Sequence, residues 1–302
     1  MKIVFMGTPR YARTILEGLI DRYEILALFT QPDKPVGRKQ ILTPPDTKRF
    51  LQQRGLDIPI YQPTTLKESQ IQERIASLKP DFIVVAAYGQ ILPRAILDIA
   101  PCINLHASLL PKYRGASPIQ QALLEGEKIT GVTAMLMDEG LDRGDILAYE
   151  VEKIEEDDDA ITLFEKLSQA AKRLTPLVLE RFHTLRPLAQ RDVEASYCKK
   201  IKKEDGMVEF DDAQRIWNRY RAFIQWPGIY LFSGLKLKKI DLIDKDSIHE
   251  PGKILSIGHD YVDVGCKRGA LRLYRLQPPS KKEMDGASYV RGRRLGVGDT
   301  LL

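Results

Sequence analysis

Asn104 and His106 stand two residues apart in the run Cys102-Ile103-Asn104-Leu105-His106-Ala107. On a strand, side chains at that spacing leave by the same face. An amide donor beside a protonated imidazole stabilises an oxygen that gains negative charge. A carboxylate next to the imidazole holds the imidazolium and accepts a proton from an attacking group, directly or through water. The segment from Asp138 to Asp145, Asp-Glu-Gly-Leu-Asp-Arg-Gly-Asp, offers four carboxylates and two glycines in eight positions. Any one of the four could meet His106. Amide, imidazole and carboxylate together suit acyl-type transfer to an amine. No Ser or Cys is set by spacing as a nucleophile, which favours direct transfer over a covalent intermediate. A histidine near a strand end also serves as a satisfied structural group, so the spacing does not decide by itself.

These residues need a scaffold, and the first two-thirds of the chain supplies alternating strand and helix patterns. Strands are expected at Lys2 to Gly7, Glu24 to Thr30, Asp81 to Gly89, Cys102 to Ala107, Gly131 to Asp138 and Asp145 to Ile154. Helical spacing marks Ala12 to Ile20, Leu66 to Leu78, Ser117 to Gly126 and Ile161 to Phe182, the last with a kink or break at Pro176. Ser117, Pro118 and Gly126 are the start and stop signals of a helix. This alternation predicts an α/β fold with a doubly wound, Rossmann-like parallel sheet. The carboxyl end of the Asn104–His106 strand is where such sheets bind ligands. Gly7-Thr8-Pro9 stands where a dinucleotide fingerprint would begin, but G-x-G-x-x-G is absent and Pro9 removes a backbone donor. A nicotinamide dehydrogenase is therefore not expected. Residues 187–206 are polar and aperiodic and read as a linker. From Met207 onward short strand-like segments alternate with Gly, Pro and Asp, which predicts a C-terminal OB-like β-barrel over 207–302, after a first domain of 1–186.

Composition narrows the class. The chain has 302 residues, 43% hydrophobic and 29% charged, which fits a globular protein and excludes a disordered one. The longest solid apolar run, Phe82 to Tyr88, is far short of the roughly 20 residues of a membrane span. The amino-terminal apolar stretch is broken at Gly7 to Arg10, so no signal peptide is read there. Three scattered cysteines suit reduced thiols in the cytoplasm rather than a disulfide framework or a zinc site, and no metal is expected. The net charge of +5 is uneven. From Pro187 to the end there are 22 Lys and Arg against 16 Asp and Glu, leaving the rest of the chain at −1. That asymmetry points to a polyanionic partner.

The stretch Ile103 to Gln120, INLHASLLPKYRGASPIQ, resembles the signature of the folate-dependent formyltransferases: Asn-x-His, then Ser-Leu-Leu-Pro, then Arg-Gly. The stretch Gly131 to Leu147, GVTAMLMDEGLDRGDIL, is similar to that family's second block. The opening, the segment after the second strand and the carboxyl-terminal third agree with it in order as well. The resemblance implies a direct formyl transfer from 10-formyltetrahydrofolate, as co-substrate, to an amine. It places Asn104 and His106 on the formyl oxygen and Asp142 as the carboxylate that tunes His106 and helps deprotonate the amine. It assigns Ser108, Leu109, Leu110 and Pro111 to the folate-binding loop and Ile91 and Leu92 to the pteridine pocket. The acceptor it implies is initiator methionyl-tRNA, with formylmethionyl-tRNA supplied to translation initiation by a chain acting as a monomer.

The loop Gln31 to Arg49 is itself informative. It carries five basic residues, Lys34, Arg38, Lys39, Lys48 and Arg49, against Asp33 and Asp46, and is too long for a simple connection. By resemblance it enters the acceptor stem of the tRNA, with Arg38 the key arginine and Lys34 and Lys39 beside it. In the carboxyl-terminal third, Lys203, Arg219 and Arg221 are candidate phosphate contacts, and Arg215 and Arg219 share a helix face. Trp217 and Trp226 read as core anchors. A sugar-nucleotide or glycinamide-ribonucleotide formyltransferase would leave the basic third unexplained. An RNA-binding protein with a decayed catalytic domain is opposed by the intact Asn104, His106 and Asp142.

Overall fold

The computed structural model describes residues 1–37 and 39–301. They form two compact units. The first takes residues 1–118, 128–155 and 163–199, and the second takes 119–127, 156–162 and 200–302.

The first unit is built on β1 (Lys2–Gly7), β2 (Glu24–Phe29), β5 (Ile60–Tyr61), β6 (Phe82–Ala86), β7 (Cys102–His106), β9 (Ile129–Leu136) and β10 (Ile146–Lys153). A hairpin of β3 (Lys34–Val36) and β4 (Ile41–Thr43) interrupts the chain after β2. Its helices are α1 (Arg10–Ile20), α2 (Asp46–Gln53), α3 (Ser69–Ser77), α4 (Arg94–Leu97) and α6 (Ala160–Arg181), whereas α5 (Pro118–Leu124) falls in the second unit from Ile119 onward. Two short strands, β8 (Arg114–Gly115) and β11 (Tyr197–Cys198), pair parallel to each other. The main sheet has the order β10-β9-β7-β6-β1-β2-β5.

Apolar alternation along the strands explains the two covered faces. Val4, Met6, Ala27, Phe29, Ile83, Val85 and Cys102 share one core cluster with Leu66, Ile75, Leu92 and Ile96. Ile3 and Phe5, the alternate residues of β1, are equally buried. Each such side chain contributes about 1.5–3 kcal/mol by leaving water. β6 and β7 are buried at every position, as expected of central strands covered on both faces.

The expected Rossmann-like sheet is present, with a parallel core and an antiparallel edge. β5, β2, β1, β6 and β7 are parallel, but β9 runs against β7 and β10 against β9. The chain re-enters the sheet past the carboxyl end of β7, with Ile129 and Thr130 lying beyond the His106–Thr133 pair, so β9 must run back. Pro176 does not break the long helix, which continues to Arg181. Leu174, Val178 and Leu179 are buried around it, and this packing outweighs the missing backbone donor.

The second unit carries α7 (Ala213–Ala222), β12 (Ile229–Tyr230), β13 (Lys236–Asp244), β14 (Ile254–Ile257), β15 (Val262–Gly265), β16 (Ala270–Gln277), β17 (Met284–Asp285) and α8 (Gly286–Gly292). The strands form an antiparallel sheet of order β12-β13-β16-β15-β14, with β17 on β16. Register shifts in β13 and β14 bend it. Asp212 and Asp285 cap α7 and α8 through the backbone N–H of Arg215 and Ser288. Trp226 is not a core anchor: it is 54% exposed. Trp217 is half-buried and stacks on Tyr220, with ring centroids 5.5 Å apart. Among the described residues no helix is long and apolar enough to cross a membrane.

Candidate active site

Asn104 and His106 leave β7 on one face, and both are buried. The turn after β9 brings Asp142 to them. The Asn104 amide donates to Asp142 Oδ1 at 3.3 Å, and His106 Nδ1 lies 3.6 Å from the same oxygen. Two nitrogens from one strand thus converge on one oxygen position. His106 Nε2 is 2.9 Å from the carbonyl of Tyr113. A carbonyl only accepts, so Nε2 carries a proton and Nδ1 is the nitrogen turned to the carboxylate. Of the four acidic residues read in the sequence, Asp142 alone reaches this point. Asp138 instead accepts from the backbone N–H of Gly140 within its own turn.

Backbone geometry explains why the turn has this shape. Asp142 sits at φ +51°, a left-handed conformation that Asp tolerates better than most residues. A Cβ on Gly144 would lie 1.8 Å from the carbonyl of Leu136, so only glycine lets the turn press against β9. The other carboxylate oxygen of Asp142 accepts from the backbone N–H of Gly115 at 2.9 Å. Gly115 has φ +121°, and a Cβ there would be 2.2 Å from the Cys198 carbonyl.

The loop between β7 and β8 is ordered by local bonds. The Ser108 hydroxyl donates to the Lys112 carbonyl at 2.6 Å. The Thr133 hydroxyl donates to the Ser108 carbonyl and accepts from the N–H of Leu110. The Tyr149 hydroxyl donates to the Leu110 carbonyl at 2.7 Å. Leu110 is buried with Met135 and Ile146, whereas Leu109 and Pro111 are half-buried. Leu92 is in the core beside Ile96, and its neighbour Ile91 is 73% exposed. Ile91 thus carries exposed apolar surface, Leu109 and Pro111 are partly exposed, and Leu92 and Leu110 are enclosed.

Part of the segment read as a linker belongs to this site. Ser196 Oγ accepts from the N–H of Tyr113 and its carbonyl accepts from the N–H of Arg114, both at 2.9 Å. Gln190 donates to the carbonyls of Asp142 and Gly144, at 3.0 and 2.7 Å. Arg114 has no exposed surface and donates to Gln190, Asp192 and Tyr197. The Arg114 guanidinium beside Asp192 holds that carboxyl below its ordinary value. Burial raises the Cys198 thiol, and the nearby Asp142 charge adds to the rise, so Cys198 stays a thiol. Sequence reasoning missed Arg114, Gln190 and Ser196 as site residues. Arg114 was visible only as half of the Arg-Gly pair. Gln190 and Ser196 carry no periodic signal.

The candidate tRNA contacts divide. Arg38 lies outside the described residues. Lys34 and Lys39 are exposed, at the start of the β3–β4 hairpin and in its turn. Val36, Ile41 and Leu42 are exposed on the same hairpin. At its base Lys48 and Gln62 both bond Asp33 and hold that carboxyl below its ordinary value, so Lys48 is a structural clamp. In the second unit Lys203 is exposed. Arg219 donates to the Met207 carbonyl, and with Arg215 it lines a cavity of about 200 Å³. Arg221 is corrected: it is 8% exposed and donates to the carbonyls of Glu156 and Asp158 and to Asn218, which makes it a buried anchor rather than a phosphate contact.

The chain matches the formyl transferase family model over residues 1–179 and that family's C-terminal domain over residues 200–294. It is 65% identical to the methionyl-tRNA formyltransferase of a Nitratiruptor species, covering 99% of both chains. It is 56% identical to the methionyl-tRNA formyltransferase of Sulfurimonas denitrificans, covering the whole of both. Among solved structures, an N-formyltransferase from Helicobacter canadensis, in complex with folinic acid and dTDP-3-aminofucose, shares the fold. Its TM-score is 0.69 at 19% identity, over 92% of this chain and 100% of that one.

Proposed function

Since the chain belongs to the formyl transferase family and matches methionyl-tRNA formyltransferases over its whole length, we propose that it performs their reaction. The formyl group of 10-formyltetrahydrofolate passes to the α-amino group of methionine esterified to initiator tRNA, supplying translation initiation. The observation that carries the chemistry is the convergence of the Asn104 amide and His106 Nδ1 on one oxygen position of Asp142.

The residues take these parts. The amide of Asn104 has two N–H donors, and the bond to Asp142 uses one. The other, with the proton on His106 Nδ1, serves the formyl oxygen as the amine adds to the formyl carbon. The Tyr113 carbonyl keeps the ring in that orientation. Asp142 balances the imidazolium and accepts the proton that the attacking nitrogen loses, directly or through water. When the carbon–nitrogen bond to the folate breaks, that proton is returned to the leaving nitrogen. Ile91, Leu92, Leu109, Leu110 and Pro111 supply the apolar lining for the folate ring, and Ser108 holds the loop. Lys34, Lys39, Arg38, Lys203 and Arg219 contact the tRNA backbone, which supplies affinity without base readout. The reaction needs no metal, and we place the chain in the cytoplasm as a monomer.

The test is formyl transfer from 10-formyltetrahydrofolate to purified initiator and elongator methionyl-tRNA, side by side. Transfer confined to the initiator is the expected result. Folate turnover without tRNA formylation would move the acceptor to a small amine and overturn the substrate assignment.

A further inference from the structure

Asp142 is gripped twice. Gly115 N–H holds one carboxylate oxygen, and Gln190 holds its backbone carbonyl together with that of Gly144. The left-handed backbone at Asp142 persists only where surrounding contacts over-determine it. Gln190 spans that turn with both protons of a single amide. Its remaining atom, Oε1, accepts from Arg114 Nε at 3.0 Å. Arg114 immediately precedes Gly115, so one buried guanidinium links the grip on the carboxylate to the grip on the backbone. The strand pair β8–β11 and the Arg114–Asp192 ion pair at 2.9 Å then tie both grips to residues 190–198.

We propose that Gln190 and Arg114 are positioning residues of the transfer reaction. They set the place of the Asp142 carboxylate relative to Asn104 and His106 without touching substrate. The inference rests on the role given above to Asp142. Moving a reacting group by about 1 Å is enough to cost on the order of 100-fold in rate.

The experiment uses the full chain with Gln190→Ala and Asp142→Asn, alone and combined, and reads formyl transfer to methionyl-tRNA. Gln190→Ala is expected to lower kcat roughly 10- to 100-fold with the KM for the formyl donor little changed. In the Asp142→Asn background the same substitution is expected to cost about threefold or less, because the carboxylate it positions is already gone. An equal loss in both backgrounds would show a general structural role and overturn the inference. So would an unimpaired Gln190→Ala alongside an impaired Asp142→Asn. An unimpaired Asp142→Asn overturns the reaction scheme itself, a distinguishable failure. Gln190→Glu, which keeps the acceptor for Arg114 but offers the two carbonyls no donor, is expected to follow Gln190→Ala. Parent-like turnover in that variant overturns the inference even if Gln190→Ala does not fold.

Discussion

Replacing Asp142 by Asn removes one charge and almost no volume. The carboxylate lies 3.6 Å from His106 Nδ1, and the two side chains are 12% and 7% exposed. At an effective dielectric constant of about 20, a full charge pair at that separation interacts by about 4–5 kcal/mol. An amide in its place retains only a dipole, and an NH2 turned toward Asn104 and His106 would oppose their donors. If half of that interaction supports the imidazolium as the formyl oxygen gains charge, kcat falls by roughly 50-fold, and by more than 1,000-fold if all of it does. The backbone bonds from Gln190 remain, so the turn keeps its shape. The assay is single-turnover formyl transfer with saturating methionyl-tRNA, paired with a thermal melt. A Tm within a few degrees of the parent and a rate at least about 50-fold lower are expected. A folded variant with a rate within fivefold of the parent would refute the electrostatic reasoning, because no structural loss could then be hiding the effect.

Other outcomes follow from the same geometry. Asn104→Ala and His106→Ala are each expected to lower turnover by about 100-fold or more without unfolding, read by rate and circular dichroism. Gly115→Ala forces a Cβ to 2.2 Å from the Cys198 carbonyl at φ +121°, and a loss of about 2–4 kcal/mol in denaturant unfolding is expected alongside lost activity. Lys34→Ala or Lys39→Ala should each reduce the slope of log affinity for tRNA against log salt by about 0.9, whereas Arg221→Ala should leave the slope unchanged and lower Tm. The Asp192 carboxyl is held below its ordinary value of 3.8 by Arg114, so its contribution to holding residues 190–198 is complete above that pH. It is lost as pH falls through the depressed value, and protease sensitivity of this segment should rise only in that acid range.

Asn104 and His106 were legible because a strand repeats every two residues and their shared face follows from spacing alone. Asp142 could not be separated from Asp138, Glu139 and Asp145 by spacing. What distinguishes it is a left-handed turn and bonds to Gly115 and Gln190, 27 and 48 residues away. The direction of β9 was hidden for a related reason: apolar patterning reports burial, not which end of the sheet the chain re-enters. Arg221 shows the limit on charged residues. Its helix pattern looks like a solvated basic face, and only Glu156 and Asp158, more than 60 residues earlier, reveal that the guanidinium is enclosed. Residues 190–198 have no periodicity, because they act through backbone pairing and single side chains.

The two family matches stop at residue 179 and resume at residue 200, and the segment that grips Asp142 lies in the interval. A chimaera joined at the first of those seams, with everything after it taken from another enzyme, would inherit a foreign strap. Its folded core would be intact, yet Arg114 would face an unmatched strand. The seam that preserves chemistry lies after Lys199. The same arrangement orders events during synthesis. Strand β8 cannot find its partner until some 80 more residues have been added, since Arg114 pairs with Tyr197. A chain arrested short of Tyr197 therefore carries β8 without its partner strand.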